Sequence, residues 1–89
     1  SELGLLVTGL DGLERLRRFV ADLRAVEGVA GAAWAGSERR QARLRVFVEK
    51  LTPDDLGAAL MRMKGYSFEV RAVEADYNLI EVEDVGEAR

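Results

Sequence analysis

Most enzymes and metal sites draw on histidine or cysteine, and this chain of 89 residues contains neither. The commonest general base, the commonest metal ligand and the thiolate nucleophile are therefore absent together. What remains is carboxylate, guanidinium and backbone amide. Carboxylates are plentiful at Glu69, Glu74, Asp76, Glu81, Glu83 and Asp84. Paired acids can move protons or hold calcium, but these alternate along strand-like segments without the spacing of a calcium loop. They are expected to form a charged outer face. Gly9-Leu10-Asp11-Gly12 has the Gly-x-x-Gly spacing of a nucleic-acid clamp, in which backbone amides approach a phosphate or another small anion at a helix start. Asp11 within that loop repels an anion, and glycines at a strand-to-helix turn follow from backbone geometry alone. The basic residues are densest at Arg15, Arg17, Arg18, Arg24, Arg39 and Arg40. Arg15, Arg18, Arg39 and Arg40 make a candidate basic patch, against which stands a solvated face with Glu14 set to pair with Arg18.

With 13 basic against 16 acidic residues the net charge is −3, so no global field draws the chain to nucleic acid. An RNA-binding sheet would also need aromatics on two central strands, and only Phe47, between Arg45 and Glu49 and near Arg43, offers one. Apolar residues make up 48% and charged ones 33%, the balance of a folded domain. No apolar run reaches the roughly 20 residues that span a bilayer, and the start does not resemble a signal peptide. The chain opens on Ser1, as a piece of a larger bacterial-type protein would, and a cytoplasmic setting is the expectation.

The elements that position these groups follow from periodicity. Residues 3–8 read as a strand. Asp11 caps a helix with Glu14 completing a capping box, and Leu13, Leu16, Phe19, Val20, Leu23 and Val26 form its apolar stripe up to Gly28. Residues 29–36 and 41–49 read as a hairpin joined by Gly36–Arg40. The second strand puts Ala42, Leu44, Val46 and Val48 on one side and Phe47 on the other. Thr52-Pro53-Asp54-Asp55 starts a second helix, with Leu56, Leu60 and Met63 inward and Gly65 closing it. A strand through Phe68, Val70 and Ala72 follows, then a further strand from Leu79 to Val85. Residues 86–89 read as a frayed end. The order predicts one α+β domain over residues 1–89, a βαββαβ two-layer sandwich with an antiparallel sheet and both helices on one face. Its core is expected over 3–74, with a C-terminal strand extension over 77–85.

Several of these segments resemble the heavy-metal-associated domain family, the ferredoxin-like modules of copper chaperones and metal-pumping ATPases. The likeness covers residues 4–73 and rests on Val7-Thr8-Gly9, on Leu23–Val29 with its Gly28-Val29, on Leu51–Leu56 with its Thr-Pro-acidic helix start, and on Lys64-Gly65-Tyr66. It implies the ferredoxin-like fold. The family's two metal-binding cysteines would fall on Gly12 and Arg15, which cannot hold a soft metal ion, so the resemblance carries over no metal and no cofactor.

What is left to carry a function is surface. Parity along the strands places Phe47 and Val73, with Leu6 from the first strand, on the sheet face away from the helices. These three make the candidate interaction face for a protein partner or a second copy, and a homodimer is the expectation. The alternative is a regulatory domain resembling the ACT family, which binds a small effector at the first strand-to-helix loop, here Gly9, Leu10, Asp11 and Gly12. Neither reading makes the chain an enzyme.

Overall fold

The computed structural model describes residues 1–86; of the expected frayed end, residues 87–89 lie outside the described residues. The elements are β1 (Glu2–Thr8), α1 (Leu13–Leu23), β2 (Val29–Glu38), β3 (Gln41–Val48), α2 (Pro53–Met61), β4 (Phe68–Glu74), a 3-10 turn at Ala75–Tyr77 and β5 (Leu79–Asp84). They form an α+β domain of one five-stranded sheet and two helices.

The strand order is β2-β3-β1-β5-β4, and it corrects the expected topology. The C-terminal strand is not appended to an edge. It inserts beside β1 and runs parallel to it, with Leu5 opposite Ile80 and Val7 opposite Val82, while every other pairing is antiparallel. The sheet is therefore mixed, compatible with a ferredoxin-like fold in which β5 displaces β4 to the edge. The core extends accordingly beyond residue 74. Ile80 and Val82 are fully buried alongside Leu5, Val7, Leu44 and Val46 from the strands and Phe19, Leu23, Leu56 and Leu60 from the helices. Burying such side chains is the main favourable term in folding, at about 1.5–3 kcal/mol each.

The two helix starts differ. Thr52 caps α2 with Pro53 in the first turn, as the sequence predicts, and Asp55 adds what it did not: Thr52 accepts a hydrogen bond from Asp55 N while Asp55 accepts one from Thr52 N, a complete capping box. At α1 the expected cap at Asp11 does not form. Gly12 takes the cap position at φ 86°, and no side chain bonds the first amides. Gly9, at φ 90°, is pressed against β5: a Cβ there would lie 2.2 Å from the Asp84 carbonyl oxygen. Leu13, expected in the buried stripe, is the first residue of α1 and is exposed.

The β2–β3 hairpin closes through Arg39-Arg40, both at positive φ (53° and 66°) between the paired Glu38 and Gln41. Two left-handed residues in a two-residue loop define the type I′ turn, usually made by Asn-Gly. Arginine there is strained.

Candidate functional site

Both helices pack on one face of the sheet, so the inward residues of each strand are covered and the outward ones are open. Across the open face, strand registers align Gly36, Arg43, Leu6, Glu81 and Ala72 in one row, and Ala33, Arg45, Gly4, Leu79 and Glu74 in the next. Leu6 thus sits at the centre, half-buried among its neighbours. Phe47 is 37% exposed near the end of the same face. Its ring lies beside Gly31, and the Arg45 guanidinium carbon is 5.7 Å from the ring centroid. Leu79 lies against Gly4 from the neighbouring strand. Charged pairs share this face: Arg45 with Glu2 at 2.8 Å lies between Phe47 and Leu6, and Arg71 pairs with both Glu69 (2.9 Å) and Glu83 (2.8 Å) toward the β4 side. The hydrogen bond from Arg45 holds Glu2 below the usual carboxylate range.

Leu6 and Phe47 therefore lie where parity places them, but Val73 does not. The β4–β5 register shifts between Val70 and Ala72, so that Arg71 is the extra residue and Val73 pairs with inward-facing Ile80. Val73 packs against the core instead of the open face. A bulge adds one residue to one strand and inverts parity beyond it, which strict alternation cannot anticipate.

The first strand-to-helix loop is lined by a shallow open depression that Thr8, Gly9, Leu10, Asp11 and Gly12 share with Arg40 and Glu83. Its charges are mixed, and the close approach of Gly9 to β5 accounts for the loop's shape. The basic patch is divided. Arg15 turns away to Asp84 and the Gly65 carbonyl, and Arg24 to the Ala32 carbonyl at 3.0 Å. Arg18 stays on the helix, and Arg39 and Arg40 occupy the hairpin turn.

A polar junction that the sequence reading missed lies at the far end of β5. Asp84, expected on the charged outer face, shares the inward side with Ile80 and Val82, and its side chain is 4% exposed. Its carboxylate accepts from Arg15 Nη2 at 3.0 Å, Gly86 N at 3.0 Å and Ser67 N at 3.3 Å. Arg15 lies over the Tyr66 ring at 4.8 Å, and the Tyr66 hydroxyl donates to Asp22 at 2.8 Å. Tyr66 in turn stacks on Phe68 and meets Phe19 edge-on. Burial, then the bond to Asp22, pushes the Tyr66 phenol up to about 12. Every group here is occupied by another, which is the arrangement of a structural joint.

Trp34 was also unforeseen. Irregularities flanking it in β2 pair it with inward-facing Leu44, so it stands on the helix side beside α1, 50% exposed. Its indole N–H donates to the Gly36 carbonyl (2.9 Å) and Ser37 Oγ (3.1 Å), and Leu13, Leu16 and Arg17 form the cleft beside it. Among the described residues no group of three carboxylates could hold a metal ion, and no helix is long and apolar enough to cross a membrane. No family model matches the chain, and no curated protein or solved structure matches it, so the functional reading rests on these residues.

Proposed function

We propose that this chain is a non-catalytic docking domain that pairs with a second copy of itself through the open face of its sheet. The observation that carries the reading is that Leu6, Phe47 and Leu79 stand on one open sheet face, over which none of the described elements packs. A two-layer fold leaves that face in water unless a partner covers it. The polar groups that could serve a reaction, Tyr66, Asp22, Arg15 and Asp84, are engaged with one another instead.

Sedimentation velocity over a range of concentrations tests this. Covering the exposed 37% of a ring of about 200 Å² removes about 75 Å² from water, or about 2 kcal/mol per copy. Phe47→Glu is therefore expected to weaken self-association by two to three orders of magnitude, counting both copies, with an unchanged melting curve for the monomer. Trp34, the only tryptophan, lies on the helix side and should stay equally open to acrylamide quenching at all concentrations. Shielding of Trp34 on association would move the interface to the α1–β2 cleft. A chain that stays monomeric throughout would defeat the docking reading and favour a small effector at the Gly9–Gly12 depression.

A further inference from the structure

If the open faces meet, the charges on them select how. Reading across at the level of Leu6, Arg43 projects from β3 on one side and Glu81 from β5 on the other, each in direct register with Leu6 on β1. Arg45 and Glu83, their neighbours along the strands, are paired with Glu2 and Arg71. Arg43 and Glu81 are different. Among the described residues neither makes an ion pair: the Arg43 guanidinium rests against Gly36, and Glu81 receives one long bond, 3.4 Å, from Gln41. The face thus carries uncompensated positive charge at Arg43 on its β3 flank and uncompensated negative charge at Glu81, with Glu74, likewise unpaired among the described residues, beyond it on the opposite flank.

Two identical faces can close about a two-fold axis lying in the contact plane in two simple ways. An axis across the strands lays β3 over β3 and β5 over β5, setting Arg43 against Arg43 and Glu81 against Glu81. An axis along β1 lays β3 of one copy over β5 of the other. It then opposes Arg43 to Glu81 twice, with Leu6 on Leu6 at the centre. Like charges brought together in a contact are unfavourable, while opposite ones fix its register. We infer that the partner of this face is a second copy packed about a two-fold axis parallel to β1, with reciprocal Arg43–Glu81 pairs flanking a Leu6–Leu6 centre. The strands then stack nearly aligned, the usual geometry of packed sheets. Five strands about 4.8 Å apart and about six residues long give a face of roughly 500 Å² per copy. The two faces together reach about the 1,000 Å² needed for a specific contact.

This inference rests on the docking reading, and the experiment separates the two. Arg43→Glu and Glu81→Arg each place like charges opposite one another in a homodimer, and each alone is expected to weaken self-association about tenfold or more. Mixed together, the two variants should form a heterodimer of roughly parental affinity, because both opposed pairs regain opposite sign. The orientation is read by cross-linking, for which the chain's lack of cysteine gives a clean background. With a short bismaleimide matched to facing sheets about 10 Å apart, Arg43→Cys mixed with Glu81→Cys should link, and neither should link to itself. Self-linking of each variant would establish the axis across the strands and overturn the inference. So would a parent dimer, broken by Phe47→Glu, in which neither pattern of linking is seen; the docking reading survives both results. A parent chain that never dimerises removes both.

Discussion

Asp84 is the residue whose removal tests the structure most directly, because it ties the inserted strand β5 to both α1 and the loop before β4. Its side chain is 4% exposed, and it accepts three hydrogen bonds, one of them from a guanidinium. Asp84→Ala deletes the acceptor and leaves the Ser67 amide, the Gly86 amide and Arg15 without it. A buried donor stripped of its partner costs about 1–3 kcal/mol. Gly86 is exposed and the Arg15 side chain is 41% exposed, so water recovers part of that loss for two of the three. The sum is then about 2–4 kcal/mol, which for a domain of this size lowers Tm by roughly 10–25 °C. Arg15→Met is the informative companion. It removes the charge but keeps an apolar stem over Tyr66, and Asp84 retains two amides, so it should cost about 1 kcal/mol. Urea unfolding followed by circular dichroism, at one low protein concentration so that association does not enter, measures both. An Asp84→Ala cost below about 0.5 kcal/mol, or one smaller than that of Arg15→Met, would refute the buried joint and with it the placement of β5.

The raised Tyr66 phenol makes stability depend on alkaline pH. Because the unfolded tyrosine gives up its proton near 10 and the folded one near 12, the contribution is whole below pH 10 and is lost as pH climbs toward 12. Urea midpoints across that range should fall more steeply for the parent than for Tyr66→Phe, and parallel curves would show that the Asp22 contact does not hold the proton. At the hairpin tip, Arg39→Asn with Arg40→Gly supplies the residues that a type I′ turn prefers, and should stabilise the domain by about 1–2 kcal/mol. A thermal melt that fails to rise would mean the arginines are held there by contacts that relieve the strain.

Much of the architecture is legible from local patterns, and the departures share one cause. The Thr52 cap, the helix stripes over Leu16–Leu23 and Leu56–Leu60, the β2–β3 hairpin and the outward turn of Phe47 depend on residues near each other in the chain, whereas both helices end before the expected Val26 and Met63. Val73 and Trp34 were out of reach because bulges reset strand parity, and small residues around Trp34 leave no alternation to break. The place of β5 depends on a pairing with β1 more than seventy residues away, which no local window contains. One signal was available. Leu79–Asp84 alternates without interruption, and the same parity that buries Ile80 and Val82 assigns Asp84 to the inward side. An acid at the end of an inward row requires a donor, and Arg15, which the sequence had suggested for a basic patch, is the cation that supplies one. Of the three expected face residues, the two on unbulged strands, Leu6 and Phe47, are the ones that reach the open face.

The insertion of β5 also bears on where a partner can attach. A sheet offers two places for docking, its edges and its faces, and exposed edges invite indiscriminate strand pairing unless they are blocked. Here both edges are guarded. Along β2 the Arg24 guanidinium bonds the Ala32 carbonyl with two nitrogens, and two register breaks interrupt the row of free amides. Along β4 a bulge falls in mid-strand beside charged Glu69 and Arg71. By taking the central place next to β1, β5 brings Leu79 and Glu81 onto the open face and exiles the bulged strand to the rim. The rearrangement that moves the bulged strand to the rim therefore also adds an apolar residue, Leu79, beside Gly4 and an acidic one, Glu81, across β1 from Arg43.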